Sequence, residues 1–171
     1  AMGSSFDVAS DGEINLLHAM GVEGDRMIYA NPIKRPAGLT ACKMTGVTKM
    51  TFDNASEIHK IANALPGATV LLRLRIDNSS AHVDLNKKFG ADKNDALALM
   101  KEAKAAGLDM AGISFHVGSQ TCYADPYLRA LDTAKDLFDQ AKAEGLDLHI
   151  LDIGGGMPIP EPKVRFNLEE M

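Results

Sequence analysis

Apolar positions along this chain fall into two alternating patterns. Short runs rich in Val, Ile, Leu, Phe and Tyr recur at "FDVAS" (6–10), "RMIYAN" (26–31), "KMTFDN" (49–54), "TVLLRLRI" (69–76), "AGISFHVGS" (111–119) and "LHILDIG" (148–154). Each is short enough to be a strand, and several are apolar on both faces, as strands of a helix-covered parallel sheet are. Between them lie Ala-rich stretches with a 3.6-residue period. "DGEINLLHAMG" starts on Ser10 or Asp11 as its cap; "ASEIHKIANALPG" places Ser56 before Glu57 and stops at Pro66-Gly67. "KNDALALMKEAKAAG" ends on Gly107, and "DPYLRALDTAKDLFDQAKAEG" opens near Pro126 and ends on Gly145. These start and stop signals predict four helices.

Alternation of strand and helix predicts an α/β fold, and both a doubly wound sheet and a (β/α)8 barrel satisfy it. The polar residues favour the barrel. Asp7 and Ser10, Asn31, Asp53, Arg73, His116 with Ser119, and the glycines at 154 to 156 all follow strand ends. In a barrel those ends converge on one mouth, where such enzymes place their sites.

Composition narrows the partners. A chain of 171 residues, 46% hydrophobic and 24% charged, is sized for one globular domain with a real core. A formal charge of −5 without a block of Lys and Arg argues against nucleic acid or a membrane surface as partner. Cys42 and Cys122 form no metal-binding spacing and read as free thiols. No apolar run approaches the roughly 20 residues of a membrane span, and the start has no signal-peptide pattern, so the expected location is cytoplasmic.

Three segments suggest chemistry. Gly154, Gly155 and Gly156 follow a strand, and successive amides without Cβ atoms form a concave site for an anion such as a phosphate. A tight strand-to-helix turn without ligand is the alternative, and G-x-G-x-x-G is absent. In "FHVGS", His116 lies in an apolar strand with Gly118 on the same face, which suits a flat ring stacked on an aromatic ligand or a hydrogen-bonded core histidine. Arg73 and Arg75 alternate onto one face of "LLRLRI" and call for an anion, or for a salt bridge to Asp7 or Asp53. The polar stretch "DNSSAHVDLNKKFGA" (77–91) reads as a long loop over the mouth or a surface excursion, with Lys87 and Lys88 solvated.

Taken in order and spacing, "FDVAS", "YANP.K", "TFDN..E", "LLRL", "KKFGA", "SFHVGSQ" and "LDIGGGMP" resemble the barrel domain of the pyridoxal phosphate-dependent ornithine/diaminopimelate/arginine decarboxylases, group IV, with the alanine racemase-like fold. The similarity runs from Gly3 to about Glu170. It implies a pyridoxal 5'-phosphate site in which His116 stacks on the cofactor ring, Ser119 and the amides of Gly154, Gly155 and Gly156 hold the phosphate, and Asp7 and Arg73 line the same end of the barrel. It implies decarboxylation of a basic amino acid, ornithine first, by a full-length homodimer. A catalytically inactive regulator of the same fold that binds a protein partner, and an amino-acid racemase, are the rival readings.

The family's Schiff-base lysine lies in a "YAVK" motif on its first barrel strand, and no "YAVK" occurs in these residues. The expectation is therefore that residues 1–171 form the central part of the barrel domain, strands two to seven of eight. The first strand, the last strand with its "EPGR" motif and a C-terminal β-domain are expected outside it. Such a piece alone is expected to be inactive and to associate or fold only marginally.

Overall fold

The computed structural model describes residues 3–76, 89–121 and 123–155. Six strands, β1 (Phe6–Val8), β2 (Met27–Tyr29), β3 (Lys49–Phe52), β4 (Thr69–Arg73), β5 (Asp109–Ser114) and β6 (Ile150–Asp152), alternate with five helices, α1 (Asp11–Ala19), α2 (Pro36–Thr45), α3 (Ala55–Ala64), α4 (Lys93–Ala105) and α5 (Asp125–Ala143). All strand pairs are parallel, and the spatial order is the chain order, β1 to β6. A doubly wound sheet reverses its order at a switch point. This sheet never does, so it is the wall of a (β/α) barrel over six strands.

Local chemistry sets the elements. Ser10 caps α1 by accepting from the Glu13 amide, and Glu13 reaches back to the Ala9 amide, a reciprocal pair that fixes where β1 gives way to helix. The cap of α3 is Asn54, not Ser56: Asn54 accepts from the Glu57 amide, and the Ser56 hydroxyl donates to the Asn54 side chain. Helix α2 was not among the expected four. It opens on Pro36 and closes on Gly46 in the left-handed region. Small residues on α2 let it lie close to the sheet, since a Cβ on Gly38 would stand 2.5 Å from the Tyr29 hydroxyl.

The core lies between sheet and helices: Val8, Tyr29, Met50, Phe52, Val70, Leu72 and Ile113 from the strands meet Ile14, Leu39, Ile58, Ile61, Met100, Ala134 and Leu137 from the helices. All six expected strands end early, β4 and β5 by the most. β4 stops at Arg73, and Leu74 and Arg75 bridge to Ala91 instead; β5 stops at Ser114, so His116 stands beyond the strand, not within it. Cys42 is a buried free thiol; Cys122 lies outside the described residues, as do Lys87, Lys88 and most of the expected 77–91 loop. Among the described residues no helix is long and apolar enough to cross a membrane, and no group of His, Cys, Asp and Glu is set to hold a metal ion.

Candidate active site

Register brings Arg73, Ser114 and Asp152 side by side at the C-terminal ends of β4, β5 and β6. The Ser114 hydroxyl donates to Asp152 Oδ2 at 2.7 Å, and the Gly154 amide donates to Asp152 Oδ1 at 2.8 Å. Arg73 is half-buried and has no ion pair within 4.0 Å among the described residues, so the expected salt bridge to Asp7 or Asp53 is not made. Burial lowers its proton affinity, against the fields of Asp152, Asp53 and Asp7 in that order. Those three carboxylates come from β6, the end of β3, and β1, so one cation gathers strand ends from across the sheet. Asp7 is raised by partial burial and then by Asp152, with Arg73 opposing. Arg75 does not share this face: it is exposed and donates to the Gly90 carbonyl, while Asp53 accepts from the Gly90 amide.

After β5 the chain turns under His116. The Gly118 amide, at a φ of +106°, donates to His116 Nδ1 at 2.9 Å. A nitrogen that accepts that bond carries no proton, so the ring is neutral with its proton on Nε2. Burial, and then Arg73, lower the proton affinity of His116, with Asp152 opposing, and this keeps the neutral form. Thr121 fastens the far side of the turn through its hydroxyl to Val117 and Gly118 carbonyls. Ser119 is half-buried, and its hydroxyl has no hydrogen-bond partner among the described residues.

The glycines divide. Gly154 has a φ of +76°, and a Cβ there would stand 2.7 Å from the Phe115 carbonyl oxygen and 3.2 Å from His116 Cα. Its amide is committed to Asp152. Gly155 has no heavy atom within 4 Å of an added Cβ, and its amide has no partner among the described residues. Gly156 lies outside the described residues.

These groups suit a phosphorylated aromatic molecule. An open amide at Gly155 and a spare hydroxyl at Ser119 are donors waiting for an acceptor, and a neutral imidazole offers a flat face without a charge to desolvate. Thr51, on the strand that leads to Asp53, has a buried hydroxyl with no hydrogen-bond partner among the described residues. Asp152 and Thr51 escaped the motif reading. The aspartate in "LDIGGG" was visible two residues before the glycines, but only register shows that it meets Ser114. Lys34 is also conspicuous. Its side chain is fully buried, and its Nζ donates to the carbonyls of Asn31, Pro32 and Thr51 with Glu57 3.7 Å away.

The family model described as "Pyridoxal-dependent decarboxylase, pyridoxal binding domain" matches residues 1–171. The chain belongs to the pyridoxal-dependent decarboxylases. Lysine/ornithine decarboxylase of Selenomonas ruminantium is 52% identical over 162 residues, which are 95% of this chain and 41% of that protein. Ornithine decarboxylase of Mus musculus is 41% identical over 167 residues, 97% of this chain and 36% of that one. A crystal structure of an SrLDC mutant in complex with PLP superposes with a TM-score of 0.92 at 52% identity, covering 95% of this chain and 42% of that one. The chain thus spans about two fifths of the length of the curated relatives it matches. The barrel architecture of this pyridoxal-dependent decarboxylase domain agrees with the strand order described above.

Proposed function

We propose that residues 1–171 are the central part of the cofactor-binding barrel of a decarboxylase that uses pyridoxal 5'-phosphate on a basic amino acid, with ornithine as first substrate. The observation that carries this reading is the set of unclaimed donors, the Gly155 amide and the Ser119 hydroxyl, beside a neutral His116. When bound, pyridoxal phosphate supplies the electron sink that loss of CO2 requires. The protein's own residues do the rest. Ser119 and Gly155 donate to the phosphate and fix the molecule by one end. His116 would cover the ring face and exclude water from it. Arg73, amid three carboxylates it does not touch, offsets part of their negative field at the strand ends.

Neither Lys34 nor Lys49 is placed to serve as the amine that engages the cofactor aldehyde. Lys34 is enclosed by carbonyls and Glu57, and Lys49 Nζ donates to the Asp25 carbonyl at the opposite end of its strand. That amine is expected from a "YAVK" motif elsewhere in the full-length protein. The substrate class rests on the lysine/ornithine and ornithine decarboxylases among the relatives.

The test is CO2 release from ornithine, lysine and arginine by the full-length protein, with pyridoxal phosphate affinity measured on the wild type, Ser119→Ala and Gly155→Ala. The expected result is turnover of ornithine above the other two, and affinity lowered by about tenfold in each variant. Absence of CO2 release from all three, or unchanged affinity in both variants, would overturn the proposal.

A further inference from the structure

The donors of the glycine run are not equivalent, and the reason is Asp152. Its two carboxylate oxygens are used on different elements: Oδ2 accepts from Ser114 at the end of β5, and Oδ1 accepts from the amide of Gly154 two residues onward. The second bond closes a small ring of chain at the end of β6. That ring puts Gly154 at its φ of +76° and presses it on Phe115 and His116, where no side chain fits. One amide is thereby consumed inside the protein, and the next, at Gly155, has no partner among the described residues, with nothing within 4 Å of where its Cβ would stand.

We propose that Asp152 is a positioning residue for the phosphate: by tying the end of β5 to the first glycine, it turns the chain so that the Gly155 amide, not the Gly154 amide, meets the anion. The inference rests on the cofactor reading above and deepens it. Asp152 itself repels a phosphate, so its place beside the phosphate-binding turn makes sense only through the groups it holds. Its charge is balanced by Arg73 from β4, and the same carboxylate faces His116 and Asp7.

This makes a demand on variants that a general loss of structure would not reproduce. An asparagine keeps an oxygen for the Gly154 amide and an NH2 that the Ser114 hydroxyl can accept from, so Asp152→Asn preserves the turn without the charge. An alanine keeps neither bond. Ser114→Ala removes one of the two ties.

The experiment measures, on the cofactor-free full-length protein, the ratio of affinities for pyridoxal phosphate and for pyridoxal, which lacks only the phosphate. Asp152→Ala should lower that ratio by about tenfold, Ser114→Ala by about threefold, and Asp152→Asn by less than about threefold. Where Asp152→Ala does not fold, Ser114→Ala and Asp152→Asn decide. Equal losses for both ligands, an unchanged ratio in Ser114→Ala, or Asp152→Asn as damaging as Asp152→Ala would overturn the proposal. Gly155→Ala in the same assay separates the two levels. If it and Ser119→Ala both leave pyridoxal phosphate affinity unchanged, the cofactor reading itself fails; if Gly155→Ala weakens that affinity while the Asp152 and Ser114 variants do not change the ratio, only the role of Asp152 fails.

Discussion

Gly154 and Gly155 lack a Cβ for opposite reasons, and single substitutions tell them apart. Gly154→Ala forces an L residue to φ +76° against the Phe115 carbonyl, so it should lower the stability of the cofactor-free protein by about 1–2 kcal/mol in denaturant titration. Gly155→Ala meets nothing within 4 Å in the cofactor-free protein and should change its stability by less than about 0.5 kcal/mol while weakening pyridoxal phosphate. Equal stability losses would contradict the division. Lys34 is a second residue whose role lies in its surroundings. Burial pushes its ammonium down to about 8, against the pull of Glu57. Between pH 8 and 10.5 the unfolded chain therefore holds the proton that the folded one has lost, and stability should rise with pH across that window, by up to about 3 kcal/mol. Relative to Lys34→Met, which takes the donor from three carbonyls while Glu57 keeps Lys60 and the residue-34 amide, and which should cost about 1–3 kcal/mol at neutral pH, the wild type should gain as pH climbs. A flat or falling difference would show that Lys34 keeps its ordinary proton affinity. The motif "YANP.K" marked the position of Lys34, but its burial among three carbonyls follows only from how β2, β3 and α3 meet.

At the scale of elements, type and order were legible and endings were not. Period-two and period-3.6 patterns located all six strands because burial on both faces leaves long apolar runs. They overran β4 and β5, since a run such as "ISFHV" stays apolar where the chain has already turned to pack on its neighbours. The cost fell on the site: alternation placed His116 and Gly118 on one strand face, whereas the left-handed Gly118 bends its amide back onto the ring. Helix α2 hid behind small residues, although Pro36 and Gly46 carried the start and stop signals. The joint between β5 and β6 is the element-level test. Gly112 lies beside Ile150, and an added Cβ there would overlap the Ile150 carbonyl. Gly112→Ala should push the two strands apart, at a cost of about 2–4 kcal/mol. It should also weaken pyridoxal phosphate binding from a distance, because Asp152 and the glycines ride on β6. Hydrogen exchange should show loss of protection at Ile150 to Asp152 with the protection of β2 and β3 intact. Uniform loss across all strands would mean that the joint is not a separate element.

At the scale of the whole molecule, the polar strand ends correctly favoured a barrel over a doubly wound sheet, and the monotonic strand order shows why: only a sheet that keeps adding strands in one direction brings Asp7 on β1 within the field of Asp152 on β6. The same geometry leaves work unfinished. Among the described residues β1 and β6 each pair on one side only, so both carry a row of unpaired backbone groups. Beside the β6 edge, Leu151 and Ile153 are 40% and 42% exposed, although the adjoining strand β5 is buried from Met110 to Ser114. Apolar side chains next to an open parallel edge are a template for another strand. A polypeptide of residues 1–171 expressed alone should therefore self-associate, with a weight-average mass that rises with concentration in sedimentation and a broad thermal transition by calorimetry. Ile153→Lys puts a charge at that edge and should reduce the association without disturbing Gly154, whose turn is fixed by Asp152. A chain that sediments as a monomer at all concentrations and unfolds in one sharp transition would show that six strands can seal their own edges, and would require a closed arrangement other than the open barrel wall.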